Sequence, residues 1–359
     1  MINRTLNLYF LRLYLTSFFS TLLALFALIF LVDMIELSRR GRVAVLGFES
    51  AVAYSAMRIP TFMEQALPFI ILFASIFTLL NLNRRLELVV ARAAGVSIWQ
   101  IILPFAIGSV MLGLAATFLY NPLAAWTKAH AQSIETNVFG NSSSNSNEEI
   151  WLRQNANGVR SIIGGAAVTK GGTELRQVSV FLFGNDGAIT QRIDADRATL
   201  QNGQWVLSKP RVTRIGYPPS YPQEYRLPTT LKPAYIEQRV ADPQAISVWS
   251  LPSEIKVASS LGLNPMAFAM QFEMLLAQPA LFLAMTLVAA TVGTRFSRTS
   301  HPGRAIAAGV LAGFTLYVIT YLAKALGSND IVPPVVAAWF PVLAAGSLGV
   351  TILLHQEDG

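Results

Sequence analysis

The sequence contains no cysteine, which excludes disulfide bonds and thiolate metal sites. Its three histidines, His130, His301 and His355, are too far apart along the chain to indicate a shared metal site. Charged residues are also scarce, at 13% of the chain, whereas a typical soluble protein has about twice that fraction. No GxxxxGK[ST], HExxH or GxSxG motif occurs, so the sequence shows no nucleotide-binding loop and no hydrolase signature of these types.

Apolar residues make up 53% of the chain, and they are concentrated in six segments. Each segment is about 20 residues long, the length that a helix needs to cross the hydrocarbon core of a bilayer. The first segment has no small-residue cleavage site, so we interpret it as a retained helix and not as a signal peptide. We predict six transmembrane helices, at about 15–35, 61–82, 98–120, 272–293, 304–325 and 333–354.

An even number of helices places both termini on the same side of the membrane. Arginine and lysine in the short loops are moderately more frequent on that side, which favours cytoplasmic termini. We therefore predict a multi-pass inner-membrane protein with cytoplasmic termini and an extracytoplasmic central domain. The net charge of +7 comes largely from arginines near the helix ends, where anionic head groups lie, so it does not indicate a nucleic-acid partner.

The composition between the third and fourth helices becomes that of a soluble domain. We divide the chain into three parts: transmembrane helices 1–3 at 1–120, an inserted domain with its connectors at 121–271, and transmembrane helices 4–6 at 272–359. The insert begins with an amphipathic stretch, 121–138. After residue 148 it is predicted to contain short strands, which favours an all-β domain of the sandwich or open jellyroll type.

Two features of the insert support this prediction. The dipeptide Asn202-Gly203 between apolar stretches is a strong signal for a tight hairpin, and Asn185-Asp186-Gly187 indicates a second turn. Nearly every side chain of Val178–Phe183 is apolar, so neither face of this strand obviously meets water. A buried core strand would give this pattern, and so would a slot that accepts acyl chains. Val180 and Leu182 are therefore our candidate lipid contacts.

The loop between the second and third helices carries a predicted amphipathic helix at about 83–95. Asn83 suits its N-cap, and Gly95 suits its C-terminal cap. Glu87 is followed on one face by the small residue Ala91, which leaves a flat surface suited to docking a partner. Alternatively, Glu87 only complements the dipole of its own helix. The helical spacing places four side chains on a separate apolar face: Leu86, Val89, Val90 and Ala93.

A charged cluster lies where the first helix leaves the membrane and the second enters it. Guanidinium groups bind phosphates well. The cluster also lies on the side that the positive-inside rule disfavours. We therefore expect it to attract anionic lipid, the alternative being a solvated run of interfacial charge. Its members are Asp33, Glu36, Arg39, Arg40, Arg42 and Arg58.

The fifth helix carries a row of small residues, Ala305, Gly309 and Gly313, at four-residue spacing. Such a row lets another helix approach closely. The spacing leaves two interpretations open, packing within the chain and packing against a helix of a partner subunit. We predict the second.

These residues resemble the LptF/LptG family of lipopolysaccharide export permeases, and the resemblance covers essentially the whole chain. Leu86–Ser97, with the sequence LELVVARAAGVS, looks like the coupling-helix motif of that family. Val32-Asp33 and Ile331-Val332-Pro333-Pro334 look more like the LptG branch of the family than the LptF branch.

The resemblance implies a permease subunit of an ABC transporter that has no catalytic residue, cofactor or metal of its own. It implies an LptF-like paralogue and a dimer of an LptB-like ATPase, which holds the ATP and magnesium. Lipopolysaccharide would pass through the β-jellyroll domains to LptC-like and LptA-like bridge proteins. Glu87 would be the acid that docks in the ATPase, beside Leu86, Val90 and Arg92, and basic residues near the first helix would hold lipid phosphates.

Two other classes of function stay open at this stage. One is a mechanotransmission-type ABC subunit, which acts on a periplasmic partner and moves no lipid through its helices. The other is a secondary transporter driven by a gradient. That class usually shows intramembrane charges and broken helices, and both signals are weak in this sequence.

Overall fold

The computed structural model describes residues 2–138, 150–156, 159–165, 167–169, 174–184, 188–201, 203–214, 216–229, 242–260, 264–293 and 302–358. The chain forms two compact units. One, the helical unit, combines Met1–Ile134 with Pro243–Gly359, and the other, the sheet unit, is Glu135–Asp242. The insert predicted at 121–271 with its connectors contains the whole sheet unit, and its outer parts, 121–134 and 243–271, belong to the helical unit.

Helices make up most of the helical unit. A π-helical turn, Ala116–Tyr120, joins two of them directly, and a short 3-10 turn, Pro243–Ala245, follows the sheet unit. The helices are α1 (Ile2–Arg39), α2 (Arg42–Leu46), α3 (Phe48–Arg84), α4 (Glu87–Ala93), α5 (Ile98–Ala115), α6 (Asn121–Val138), α7 (Leu251–Ser260), α8 (Met266–Gly293), α9 (Pro302–Ser328) and α10 (Pro334–Asp358).

Within the described ranges, six helical stretches are long and apolar enough to cross a membrane, which confirms the predicted number. They lie at Arg4–Arg39, Phe48–Arg84, Ile98–Glu135, Met266–Gly293, Ala307–Ser328 and Pro334–Gln356. The third stretch continues well past residue 120, where the prediction ended, because the chain stays helical after it becomes polar.

The π-helical turn lies at this change from apolar to polar sequence. The N–H of Asn121 donates to the carbonyl of Ala116, five residues earlier. The next residue, Pro122, has no N–H and would interrupt a regular α-helical ladder. One wider turn lets the helix absorb that interruption and continue to Val138.

The core of the helical unit lies among α1, α3, α5 and α8. Tyr14, Ile71, Phe105 and Phe282 are fully buried there, one from each of these helices. In water, burial of apolar surface contributes about 25 cal/mol per Å². Inside a bilayer the lipid tails are as apolar as the side chains, so this contribution is absent and close packing holds the helices together. Much of the outward surface of α1, α9 and α10 is apolar and exposed in the single chain.

The sheet unit contains one antiparallel sheet, with eight strands in the described part of the chain, which confirms the predicted β domain between the third and fourth membrane helices. The strand order is β1-β2-β4-β5-β6-β8, with β3 also paired to β4 and β7 to β5. The strands are β1 (Ile150–Ala156), β2 (Val159–Gly165), β3 (Ala167–Thr169), β4 (Glu174–Phe183), β5 (Ile189–Gln201), β6 (Gln204–Ser208), β7 (Arg211–Arg214) and β8 (Glu224–Pro228).

The hairpin between β5 and β6 has the predicted position. Gln201 pairs with Gln204, so the turn consists of the two residues between them, and Gly203 has the positive φ of 72° that this turn requires. Asn202 lies outside the described residues, as does the other predicted turn, Asn185–Gly187.

Candidate functional site

The short helix α4, in the loop between α3 and α5, is the first candidate site. It begins at Glu87 and not at residue 83, because α3 continues to Arg84 and Leu86 then takes a left-handed φ of 62°. The predicted N-cap role of Asn83 is therefore wrong. Asn83 belongs to the last turn of α3, where its carbonyl accepts the N–H of Leu86 at 3.0 Å.

The end of α4 agrees with the prediction. Gly95 follows the helix with a φ of 85°. Its N–H donates to the carbonyl of Arg92, and the N–H of Val96 donates to the carbonyl of Ala91. These two bonds form a Schellman motif, which satisfies carbonyls that the last helical turn would otherwise leave without partners.

One face of α4 is buried and the other is open. Leu88 and Ala91 pack against the core of the helical unit, so Ala91 does not lie on an open surface beside Glu87 as predicted. Leu86 and Val90 are 52% and 67% exposed, and Val89 is also exposed. The predicted apolar face is thus present and unburied in this chain. Exposed apolar rows of this kind commonly mark interaction surfaces.

Glu87 lies at the edge of this open face. It is the first residue of α4, where a carboxylate complements the positive end of the helix dipole. Its Oε1 accepts a hydrogen bond from the hydroxyl of Tyr9 on α1 at 3.3 Å. The carboxylate is only partly buried, so it can serve its own helix and still accept a bond from a docked partner.

The charged cluster at the ends of α1 and α3 divides into two parts in the structure. Asp33 is buried, and Arg58 lies 2.9 Å from its Oδ1 while the hydroxyl of Ser55 donates to its Oδ2 at 2.7 Å. The guanidinium of Arg58 also lies over the rings of Tyr54 and Phe62. Asp33 and Arg58 therefore form an internal ion pair that joins α1 to α3, and Asp33 is not an open contact for lipid.

The second part of the cluster is exposed. Arg40 pairs with Glu36 at 2.6 Å, one helical turn earlier, and both side chains face solvent. Arg39 is exposed as well, and Arg42 is half-buried on α2. An exposed pair of this type contributes little to stability, so Arg40 could exchange Glu36 for a lipid phosphate at small cost.

The two candidate lipid contacts of the insert lie in the interior of the sheet unit. Val180 and Leu182 are buried in a cluster formed by one face of the sheet, which includes Ile193 and Trp205. On the other face, Phe181 is partly covered by Trp151, at 5.8 Å between ring centroids, and by the guanidinium of Arg192. The apolar character of both faces of β4 thus has a structural explanation: one face forms the core and the other carries a smaller aromatic contact. The members of the interior cluster are Ile163, Leu175, Val178, Val180, Leu182, Ile193, Ala195, Ala198, Trp205, Leu207, Val212 and Leu227.

The family of the chain follows from a comparison with known proteins. A family model described as the lipopolysaccharide export system permease LptF/LptG matches residues 8–355, which is nearly the whole chain. The chain belongs to the LptF/LptG family. It is also 22% identical over 364 residues to the lipopolysaccharide export system permease protein LptG of Escherichia coli strain K12, with 95% of this chain and 96% of the relative covered. The LptG of Escherichia coli O6:H1 matches equally well.

Membership of the LptF/LptG family makes this chain a permease for lipopolysaccharide export and not an enzyme in itself. The architecture is consistent with that assignment, since six apolar helices carry an antiparallel sheet between the third and the fourth. The resemblance seen in the sequence, including that to LptG, is therefore confirmed.

The glycine row of this LptF/LptG-family chain packs within the chain. A Cβ atom on Gly309 would lie 2.7 Å from Cδ1 of Ile76, and one on Gly313 would clash with Cδ2 of Leu72. Both contacts are with α3, so the prediction that these glycines face a partner subunit is wrong. Their small size lets α9 approach α3 of the same chain. The side chain of Ala305 lies outside the described part.

Sequence reasoning missed a group of polar side chains inside the helical unit. Thr117, in the π-helical turn, donates to the carbonyl of Leu275 at 2.9 Å and contacts Gln278 at 3.2 Å. One turn later, the amide of Asn121 donates to Glu64 at 2.8 Å. Glu64 is an ionisable residue within an apolar span, and such residues are functional candidates by default, so its position was the available signal.

Proposed function

We propose that this LptF/LptG-family permease is one half of the membrane core of an ABC transporter that extracts lipopolysaccharide from the inner membrane. It pairs with an LptF-like paralogue, and a dimer of an LptB-like ATPase supplies the energy. Its termini are cytoplasmic and its sheet unit is periplasmic. Lipopolysaccharide passes from the sheet unit to LptC-like and LptA-like bridge proteins. The family match over nearly the whole chain supports this proposal.

The open face of α4 is the observation that carries the coupling part of the proposal. The helix is anchored on the core through Leu88 and Ala91, while Leu86 and Val90 point away from the chain. Because this short helix packs against the membrane helices, a partner that pushes on its outer face would move those helices as well. Docking of an ATPase groove over Leu86, Val90 and Arg92, with Glu87 at the edge, would transmit the motion of that ATPase.

A pull-down in mild detergent tests the proposal as a whole. Mass spectrometry of the proteins and lipids bound to the full-length chain should identify an ATPase, a second LptF/LptG-family chain and lipopolysaccharide. A secondary transporter would bring down no ATPase. A mechanotransmission-type subunit would bring down an ATPase without lipopolysaccharide, and either result would contradict the proposal.

Photocrosslinking tests the route through the sheet unit. A photoreactive residue at Val180 or Leu182 is expected to capture lipopolysaccharide during ATP turnover, because both side chains belong to the apolar interior that acyl chains would enter. The same probe at Phe181, on the opposite face of β4, is the matched control and should capture less. Capture that is absent during turnover, or unchanged without ATP, would show that this interior is only a core.

A charge reversal tests the exposed arginines. Changing both Arg39 and Arg40 to Glu is expected to reduce the lipopolysaccharide that copurifies, since it replaces two phosphate-binding groups by carboxylates. The control is the exchange Glu36→Arg with Arg40→Glu, which keeps the net charge and the helical pair. Lipid content should be quantified by mass spectrometry of the assembled complex. Unchanged content in the first variant would assign these arginines to ordinary surface charge.

A further inference from the structure

A cavity of about 430 Å³ lies in the helical unit, among α3, α8 and α9. Its wall carries charges of both signs, a carboxylate from Glu64 and an ammonium from Lys324. The rest of the lining is mixed, with polar side chains such as Gln271 and Gln278 and apolar ones such as Pro68, Met274 and Leu281. This combination differs from the apolar packing elsewhere among these helices.

The carboxylate side of the cavity is held in place by buried groups. Asn121 is fully buried, and its Nδ2 donates to Oε1 of Glu64 at 2.8 Å. The Oδ1 of the same Asn121 accepts the N–H of Val248 at 2.8 Å, which fixes the amide in its orientation. Both bonds satisfy an amide that would be costly to bury without partners. Glu64 is therefore positioned before any ligand binds.

The ammonium side is built in a similar way. The Nζ of Lys324 donates to Oε1 of the buried Gln271 at 3.3 Å. A second lysine, Lys128, donates to Oε1 of Gln244 at 2.8 Å, and Gln244 also lines the cavity. The cavity thus presents a carboxylate and an ammonium group to one half-open volume, with a second lysine behind its wall.

The depth of the cavity indicates where its ligand comes from. Twenty residues of α3 separate Glu64 from Arg84, and at 1.5 Å per residue this is about 30 Å, the thickness of the hydrocarbon core. On α9, Lys324 lies one helical turn before the end of the helix at Ser328. Both charges therefore lie near the depth of the lipid head groups, at the end of the helical unit where α3 begins.

We propose that this cavity binds the head group of a zwitterionic glycerophospholipid. The ammonium of the head group pairs with Glu64, its phosphate pairs with Lys324, and its acyl chains run along the apolar side chains of the wall. A free phosphate or a purely anionic lipid would gain the lysine but would be repelled by the carboxylate. The proposal goes beyond the exported lipid, because it concerns a resident lipid bound within one subunit.

Lipid titration followed by native mass spectrometry tests the proposal on the full-length chain purified in mild detergent. The probes are phosphatidylethanolamine, which carries both charges, and phosphatidylglycerol with the same acyl chains, which has no ammonium. The wild-type chain should prefer phosphatidylethanolamine. Glu64→Gln should reduce that preference by about tenfold or more, as expected for loss of a charged hydrogen bond. Lys324→Gln should weaken binding of both lipids, and Lys324→Arg should keep it.

The controls are Glu49→Gln and Lys256→Gln, which remove exposed charges away from the cavity lining and should change neither lipid. Equal binding of the two lipids to the wild-type chain would overturn the proposal, as would an unchanged preference in Glu64→Gln. Displacement of phosphatidylethanolamine by an equal concentration of lipid A would overturn the assignment to a glycerophospholipid. If Glu64→Gln does not fold, Lys324→Gln decides, and wild-type binding of both lipids to that variant would contradict the site.

Discussion

A lysine in place of Glu87 is expected to release the ATPase while the membrane helices stay assembled. The carboxylate lies at the edge of an apolar face whose residues Leu86 and Val90 are exposed in the single chain. When a partner covers that face, the Glu87 carboxylate loses its bound water and needs a hydrogen-bond donor from the partner in its place. Losing one member of a desolvated charged hydrogen bond costs roughly 2–5 kcal/mol of association, so ATPase copurification should fall at least tenfold.

A matched control variant distinguishes the role of Glu87 in docking from its role in positioning α4. Tyr9→Phe removes the 3.3 Å hydrogen bond to Glu87 but keeps the carboxylate, and it should leave ATPase binding near that of the wild type. Both variants should be scored by copurified ATPase and by lipopolysaccharide release in the same membranes. Wild-type binding and release in Glu87→Lys would mean that the acid only complements its own helix. Loss in Tyr9→Phe equal to that in Glu87→Lys would point to the position of α4 and not to docking.

Local rules predicted part of α4 and failed on the rest. Gly95 was identifiable because a chain leaving a helix needs a positive φ, which glycine adopts without strain. The start of the helix was misplaced because Asn83 is a good N-cap in isolation, whereas the ladder of α3 continues through it. Which face of α4 is buried could not be predicted either, since Ala91 suits an open surface and a buried contact equally well.

For the long helices, the sequence likewise predicted the positions but not the ends. Hydropathy located six spans because the bilayer requires about 20 apolar residues in a row. It did not locate the helix ends: α1 runs from Ile2 to Arg39, well beyond the apolar part at 15–35, because backbone hydrogen bonds continue into polar sequence. The ion pair of Asp33 with Arg58 depends on the packing of α1 against α3, so the sequence showed only two charges near a membrane surface.

Close contacts between helices were the least predictable feature. The row of Ala305, Gly309 and Gly313 was visible because its spacing repeats every four residues. The structure shows that its two glycines meet flexible side chains of α3. A contact that a side chain cannot relieve by moving occurs at Gly113 of α5. Its partner is the backbone of α8, and only the three-dimensional arrangement identifies it.

Substitution of Gly113 by alanine is therefore expected to destabilise the helical unit strongly. An added Cβ would lie 2.5 Å from Cα and 3.2 Å from N of Pro279. These are backbone atoms inside α8, which cannot rotate away as a side chain can, so α5 and α8 would have to separate. Overpacking of this kind typically costs about 1–3 kcal/mol, more than the roughly 0.5–1 kcal/mol that alanine gains over glycine in a helix.

The control for this variant is Gly346→Ala in α10. There the nearest atom to an added Cβ is the Cβ of Ala284 at 4.0 Å, so the substitution should be neutral or slightly stabilising. Thermal unfolding of both variants in the same detergent, followed by circular dichroism at the helical band, gives the comparison. Gly113→Ala should melt several degrees below the wild type and Gly346→Ala should not. Equal melting temperatures would mean that α5 and α8 have room between them for a methyl group.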